Sequence, residues 1–404
     1  MRSGSLADFS ILLSLWFMMF AASSQTMIMT PLMPIVQAQF DVPPEYLGTL
    51  ITAYAVMLGI CALITGPLSD AVGRRRILMI GTGAMCGTLF LHSFVTDYLS
   101  LLLVRAVSGM AAGVLSGVAP AYIGDHFPSE RRGWANGVVM TAIAFGQIVG
   151  IPAGTLLADR YDFATAFIFF TIPMALSFVL VGTLTRQPVV ARTRLTSIGS
   201  VIQNYAAMFK VPATAAAVGA YCIMFTGIAF YVIYLVVWMK DTFGVSGDAV
   251  ASLFVVSGIA SVIVGPWAGR LSDRFGRKFM VAGACVGLFV LMSLTTTIMA
   301  EFWMAYPLFF TIMVLVSARM GPFQALLSEI VPAERRGSLM SLSIATGQLA
   351  MGICSAAAGI VYIELGYFFS SVLGGTGMLA MGYLVWRYIP ETRYVPKRLK
   401  PNSN

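Results

Sequence analysis

Residues 66–76 read GPLSDAVGRRR, and residues 269–278 read GRLSDRFGRK. The two stretches keep the same order of glycine, acid and basic cluster at an offset of 203 residues, about half of the 404-residue chain. Each is a short polar link between two apolar runs. The repeat predicts a duplicated chain in which each half carries one copy of this loop.

A second pair of motifs has nearly the same period. Residues 125–133 read DHFPSERRG and residues 329–337 read EIVPAERRG, at an offset of 204 residues. Two different motifs with one period support the duplication independently. If each copy contains six membrane-spanning helices, as the apolar runs described below predict, both copies have the same orientation. This describes parallel repeats related by an axis along the membrane normal.

The composition predicts an integral membrane protein. Hydrophobic residues make up 58% of the chain and charged residues only 10%, whereas about a quarter of the residues of soluble domains are charged. Basic cytoplasmic loops then explain the net charge of +8, and no nucleic-acid partner is expected. The five cysteines lie in apolar runs without metal-ligand spacing, so we expect no metal and no cofactor.

Apolar runs of spanning length occur twelve times and are numbered helix 1 to helix 12. They cover residues 9–39, 46–68, 77–96, 98–124, 134–158 and 163–185, then 212–239, 249–269, 279–300, 302–328, 338–363 and 365–386. Runs this long without period-two alternation predict helices, because lipid requires internal backbone hydrogen bonding. We expect an all-α fold of two six-helix bundles.

The long basic link in the middle of the chain sets the domain boundaries. The predicted domains are a first bundle at residues 1–185, a cytoplasmic linker at 186–211, and a second bundle with a short tail at 212–404. Residues 1–24 could pass for a secretory signal, but the apolar run continues to Phe40. We therefore expect this segment to stay as helix 1 of the repeat.

The distribution of Lys and Arg predicts the topology. If the N-terminus is cytoplasmic, 21 of the 25 basic residues lie on the cytoplasmic side, and only Arg160 and Lys240 lie on the other. Both termini are thus expected to be cytoplasmic. We expect a multi-pass, monomeric protein of the plasma membrane, which is the inner membrane in a bacterium.

The pattern GxLSDxxGRR at residues 66–75, with its second copy, resembles the signature loop of the major facilitator superfamily. The resemblance covers essentially the whole chain, and the drug and sugar proton-antiporter (exporter) branches are the most similar. It implies two six-helix bundles that rock about a central cavity and expose one site alternately to each side of the membrane.

The two loops and the acidic ends of helices 4 and 10 are predicted to form a cytoplasmic gate. Glycines permit a tight turn, and the carboxylates can form charge-assisted hydrogen bonds with the arginines. The alternative is a topology anchor at the lipid surface. The predicted gate residues are Gly66, Asp70, Gly73, Arg74, Asp125, Asp273, Arg277 and Glu329.

Two arginines lie inside predicted helices, where their charge is costly and usually faces a cavity or a partner. Arg105, followed by Gly109 and Gly113, resembles the family's helix 4 arginine motif, which is often linked to proton-coupled transport; the alternative is snorkelling toward the outer face. Arg319 lies about 15 Å from the cytoplasmic end of helix 10. These cations, without a central acid, favour an anionic or partly anionic substrate.

Helix 1 departs from the family pattern. Many proton-coupled exporters carry an acid midway along this helix, and here Gln25 stands in that region. Proton coupling is then either absent or uses groups nearer the helix ends. Further cavity candidates at helix centres, for which an interhelical hydrogen bond is the alternative, are Gln147, Tyr231, Gln324 and Gln348.

Helix 5 carries a run of small residues that resembles the glycine-proline motif of antiporters in the family. Small residues at this spacing permit close helix contact, and proline bends a helix; ordinary packing is the alternative reading. The motif residues are Gly137, Gly146, Gly150, Pro152 and Gly154.

The leading hypothesis is a secondary active transporter that exports a small amphipathic or drug-like solute in exchange for protons. The alternative is an organic-anion or lysolipid carrier that works by uniport or exchange. A membrane enzyme is not expected, because no nucleophile elbow, paired intramembrane carboxylates or phosphate-binding loop occurs. Of the two histidines, His92 is expected at the outer interface.

Overall fold

The computed structural model describes residues 3–185 and 198–391. Regular structure in these residues is helical, as the long apolar runs predict. In the first half, helix 1 comprises Ser3–Met27 and Met29–Phe40, helix 2 is Pro44–Val72, helix 3 is Arg74–Leu91, helix 4 comprises Tyr98–Leu115 and Val118–His126, helix 5 comprises Ser129–Phe145, Gly146–Gly150 and Ile151–Arg160, and helix 6 is Phe163–Leu184.

The second half repeats this order after a linker helix, Ile198–Phe209. Helix 7 comprises Pro212–Val232 and Leu235–Phe243, helix 8 is Gly247–Phe275, helix 9 comprises Arg277–Ser293 and Thr295–Ile298, and helix 10 is Ala305–Glu329. Helices 11 and 12 lie in one helical stretch, Ala333–Tyr388, divided at Gly366, whose φ of 81° favours glycine. The predicted residues 186–197 of the linker lie outside the described part of the chain.

Ten described segments are long and apolar enough to cross a membrane. One of them, Arg335–Tyr388, contains both helix 11 and helix 12. Helix 9 is not among the ten because its first part, Arg277–Ser293, has 17 residues and ends before Leu294. In the described part of the chain, the predicted twelve segments in two sets of six are confirmed.

The duplication extends to the irregular points of the helices. Helix 1 is interrupted at Ile28, and helix 7, the corresponding helix of the second half, is interrupted at Ile233 and Tyr234. Backbone groups near such interruptions lack some regular helical partners. Both interruptions lie at the middle of the bundle, next to the cavity described below.

In the described part of the chain, the most extensive contacts between the halves are those of helices 2 and 11, helices 5 and 8, and helices 1 and 7. Helices 2 and 11 approach closely because small residues face each other. A Cβ atom at Gly48 would lie 2.1 Å from the carbonyl oxygen of Ser355, and Thr52 Oγ1 donates a hydrogen bond to the Gly352 carbonyl at 2.5 Å.

Candidate functional site

A cavity of about 260 Å³ lies between the two halves. Met27, Thr30, Gln147 and Ile151 of helices 1 and 5 line it from the first half, and helices 7, 8, 9, 10 and 12 line it from the second. Its wall is mostly Leu, Ile, Val, Met and Phe. The polar side chains in the wall are Thr30, Gln147, Tyr231, Ser257 and Arg319.

The cavity brings together three of the seven residues predicted for substrate or coupling. Gln147, Tyr231 and Arg319 line it. The hydroxyl group of Tyr231 is turned toward helix 9, where it lies 2.9 Å from Thr295 Oγ1. The aromatic ring and not the hydroxyl is therefore the part of Tyr231 that is available to a solute.

The other four predicted residues are not among those that line the cavity. Gln324 is exposed and hydrogen-bonds Tyr221, and Gln348 is half-buried on helix 11. Gln25 and Arg105 are fully buried inside the first half. Any role of these four residues in coupling stays a prediction.

Arg105 belongs to a polar cluster between helices 1, 2 and 4. Its Nη1 donates to Gln25 Oε1 at 3.1 Å, and its guanidinium carbon lies 4.3 Å from the centroid of the Tyr54 ring. Gln25 Nε2 in turn donates to the Tyr54 hydroxyl at 2.7 Å. The side chain thus points into the bundle, where neutral groups contact it, and does not snorkel toward the outer face.

Two glycines hold helix 4 against helix 2 and so set the position of Arg105. A Cβ atom at Gly109 would lie 2.1 Å from the carbonyl oxygen of Tyr54, and one at Gly113 would lie 2.6 Å from that of Leu58. No side chain larger than hydrogen fits at such distances. The Arg-xxx-Gly-xxx-Gly spacing therefore places one helix face with Arg105 directly against the Tyr54 ring.

Arg319 has a different environment. It is 1% exposed, and its Nη1 contacts the Sδ atoms of Met381 at 2.9 Å and Met378 at 3.3 Å on helix 12. Its Nε has no hydrogen-bond partner among the described groups. Thioether sulfur is a weak acceptor, so these sulfur contacts do not balance the charge of the cation.

The sequence does not predict the methionine contacts of Arg319. Met378 and Met381 are three residues apart and therefore lie on one face of helix 12. That spacing could have suggested a shared facing group, but nothing in the sequence identifies helix 10 as the partner. The tertiary packing of helices 10 and 12 decides it.

The repeated loops form matched ion pairs. Arg74 Nε lies 2.8 Å from Asp125 Oδ2, and in the second half Arg277 Nη1 contacts Glu329 Oε1. Each pair ties the loop after helix 2 or helix 8 to the end of helix 4 or helix 10 within its own half. The predicted partners thus meet, but their use as a gate stays a prediction.

The glycines of the loops have the backbone that their position requires. Gly73 has φ 109° and Gly276 has φ 95°, which L side chains rarely adopt. Gly66 lies within helix 2, before its end at Val72. The predicted side-chain contacts of Asp70 and Asp273 lie outside the described side chains.

The small-residue run of helix 5 packs against helix 1, except at one position. Cβ atoms at Gly146 and Gly150 would lie 2.6 and 2.4 Å from Ser24 Oγ, and one at Gly154 would lie 2.9 Å from Ile28 Cδ1. A Cβ atom at Gly137 would meet no described atom within 4 Å. The predicted packing role is therefore wrong for Gly137, which faces open space.

The bend predicted from Pro152 takes the form of a π-helical turn at Gly146–Gly150. Proline lacks the N–H that would continue the regular ladder. The N–H of Ile151 instead bonds the carbonyl of Gly146, five residues earlier. This turn places Gln147 in the cavity wall, in line with the frequent occurrence of π-turns at functional sites.

His92 directly follows helix 3 at its outer end, and its predicted place at the membrane interface stays a prediction. It is fully buried, and its ring stacks on Phe167 with a centroid distance of 3.8 Å. Its Nδ1 lies 2.8 Å from the Thr88 carbonyl oxygen. The aromatic ring of helix 6, which the sequence position of His92 does not reveal, makes an interior site favourable.

Comparisons with known proteins agree with this architecture. A family model described as the Major Facilitator Superfamily matches residues 15–235 and 217–404. A D-xylose-proton symporter of known structure superposes with a TM-score of 0.77 at 19% identity, over 95% of this chain and 98% of that one. The likeness to this structure shows the fold.

Sequence relatives of the chain include bacterial transporters. The chain is 22% identical to YceJ of Bacillus subtilis, an uncharacterized MFS-type transporter, over 89% of this chain and 91% of that protein. It is 25% identical to the multidrug resistance protein MdtG of Proteus mirabilis, over 79% and 81%. It is 23% identical to a multi-drug resistance efflux pump, the PmrA homolog of Lactococcus lactis, over 95% of both.

Proposed function

The chain belongs to the Major Facilitator Superfamily and is a secondary transporter. We propose that it exports a small amphipathic solute by alternating access, in exchange for protons. The proposal places it in the plasma membrane, as a monomer with both termini in the cytoplasm. The multidrug names of two relatives support export of a drug-like solute.

The observation that carries the proposal is the cavity between the halves. Both halves contribute to its wall, so a rocking movement of one half against the other changes the wall and the access to it. The wall is apolar with a few polar groups, which is the usual character of small-molecule sites. Hydrogen bonds of Tyr234 to Pro44 and Gly48 join the halves at the end where helix 1 meets helix 2 and helix 7 meets helix 8, called here the outer end.

Proton antiport needs a group that changes its protonation during the cycle. Among the described residues that line the cavity there is no Asp, Glu or His. The proposed coupling therefore runs through carboxylates at the cytoplasmic ends of the helices. Asp125 and Glu329, each paired with an arginine, are the proposed carriers, since a change of pairing would accompany protonation.

A second candidate function is the carriage of an organic anion or a lysolipid by uniport or exchange. One observation favours it: Arg319 lines the cavity, and its Nη1 contacts thioether sulfurs. This function needs no proton-carrying group, because the gradient of the solute or of its exchange partner drives uniport or exchange.

Transport by the purified protein in liposomes tests the proposed function. We expect uptake or counterflow of compounds from a panel of lipophilic drugs and organic anions, and acceleration by a pH gradient. Met313→Trp, which fills the cavity wall, is expected to lower transport at least tenfold. Ile353→Trp, at a side chain that is 67% exposed on the outside of helix 11, is the matched control and should transport normally.

Two results would contradict the proposal in different ways. Flux equal to that of protein-free liposomes for every compound contradicts the transport function itself. Transport that is unaffected by the pH gradient and carries no proton current contradicts antiport and supports the second candidate.

A further inference from the structure

Arg319 has no counter-ion among its contacts in the described part of the chain, although it is almost completely buried. Its Nη1 faces Met378 and Met381, and its Nε has no partner among the described groups. Cys285 contributes another sulfur neighbour. Sulfur accepts hydrogen bonds weakly, and a buried charge without an opposite charge is strongly unfavourable.

Arg319 is part of the cavity wall, although only 1% of its surface is exposed. Met378, whose sulfur contacts Nη1, also lines the cavity, so a shift of this flexible side chain would give a solute access to the guanidinium donors. A guanidinium group presents paired N–H donors that match a carboxylate or a similar planar acid group. The missing partner is thus best supplied by the acid group of a bound solute.

The rest of the cavity wall determines the character of the part of the solute that lies away from the acid group. Apart from Thr30, Gln147, Tyr231 and Ser257, the side chains around Arg319 are apolar. A cavity of about 150 Å³ binds benzene, and this cavity measures about 260 Å³. It therefore has room for roughly a bicyclic arene or a short arylalkyl chain beside the acid group.

We propose that the cavity binds small organic monoanions, with the acid group held by Arg319 and an apolar body packed against the walls of helices 7, 8 and 10. A single positive charge in an apolar site suits one negative charge, because a second would be left unpaired. This inference rests on the proposed transport function for its biological meaning, but binding to the purified protein tests it separately.

Arg105 provides an internal comparison. It is as buried as Arg319, and its Nε and Nη2 also have no partner among the described groups. It differs in that it bonds Gln25, lies over the Tyr54 ring and does not line the cavity. Substitution of Arg105 by lysine should therefore leave the charge preference of the cavity unchanged.

The test measures binding of naphthylacetate, its neutral analogue naphthylacetamide and cationic naphthylmethylamine to the purified full-length protein in lipid nanodiscs by calorimetry. The three probes share one aromatic body and differ in charge. We expect the wild-type protein to bind the anion at least tenfold more tightly than the amide, and the amine more weakly than both. Equal affinity of the wild-type protein for the anion and the amide would by itself overturn the proposal.

Substitutions of Arg319 and Arg105 then test which arginine causes the preference for the anion over the amide. Arg319→Gln should bind the anion and the amide within about twofold of each other, whereas Arg319→Lys should keep part of the preference and Arg105→Lys all of it. Amide binding and the melting temperature report whether each variant is folded. An anion preference that persists in folded Arg319→Gln contradicts the assignment to Arg319, and anion binding without any transport contradicts the transport function alone.

Discussion

The hydroxyl oxygen of Tyr234 lies 2.9 Å from the carbonyl oxygen of Pro44, so helix 7 of the second half is hydrogen-bonded to the start of helix 2 in the first. The same hydroxyl accepts the N–H of Gly48 at 3.0 Å. Tyr234 stands where helix 7 is interrupted, with φ −94° and ψ 3°. These bonds join the halves at the outer end and must break before that end can open.

Tyr234→Phe is expected to favour the outward-open state. Phenylalanine cannot form the hydrogen bonds of the Tyr234 hydroxyl. A loss of about 1 kcal/mol of this stabilisation raises the ratio of open to closed molecules about fivefold. Spin labels at Thr96 and Lys240, in a cysteine-free background, would report the outer distance between the halves. Tyr98→Phe is the control, because the Tyr98 hydroxyl bonds Tyr46 within the first half. Identical distance distributions in Tyr234→Phe and wild type would contradict the closing role.

The ion pair between Arg74 and Asp125 should be energetically coupled. Their side chains are 17% and 22% exposed, so solvent screens them only in part. We expect a double-mutant cycle to alanine, read from thermal unfolding in detergent, to give a coupling free energy of about 1 kcal/mol. Arg76→Ala, on the exposed side of the same loop, should change stability little. Strict additivity of the two single substitutions would show that the contact contributes nothing to stability.

The glycines of helices 4 and 5 should respond oppositely to alanine. Gly109→Ala forces a Cβ atom against the Tyr54 carbonyl and is expected to separate helices 2 and 4, with a cost of about 1–3 kcal/mol as for other overpacked sites. Gly137→Ala meets no described atom and gains helix propensity of about 0.5–1 kcal/mol. Melting temperatures of both variants check this, and an equal loss at both positions would contradict the packing description.

The sequence predicts the fold well because lipid restricts the alternatives. Twelve apolar runs, a midpoint repeat and the two loop motifs leave few arrangements open, and a transmembrane segment must be helical. The break between helices 11 and 12 is an example: the predicted runs meet near residue 364, and the structure divides them at Gly366. The length and apolar character of the two runs are sufficient to predict this division between helices 11 and 12.

The cavity was less predictable, because its wall depends on how helices rotate about their axes. Gln25 and Gln147 look alike in sequence, yet Gln25 is bonded to Arg105 inside the first half while Gln147 lines the cavity. The sequence distinguishes the two arginines only by their depth in the helix and by the glycines that follow Arg105. Only the packing shows that Arg105 has polar neighbours and that Arg319 faces the cavity with sulfur around it.

The charge of the solute should appear in the voltage dependence of transport. Moving one elementary charge across 100 mV changes the free energy by about 2.3 kcal/mol, so an inside-negative potential drives export of a monoanion. Any coupled protons add the same charge to the movement of naphthylacetate and of its neutral amide. The voltage dependence of the two probes should therefore differ by one elementary charge per transported molecule, whatever the coupling.

Flux of both probes from proteoliposomes, at potentials clamped with valinomycin and potassium gradients, measures this difference. A pH gradient at zero potential then separates antiport from uniport, since one exchanged proton gives about tenfold accumulation per pH unit. In Arg319→Gln, anion flux should fall at least tenfold relative to amide flux, because the acid group loses its partner. Equal voltage dependence for the anion and the amide would mean that the acid crosses in its neutral form, and Arg319 would then not be its binding partner.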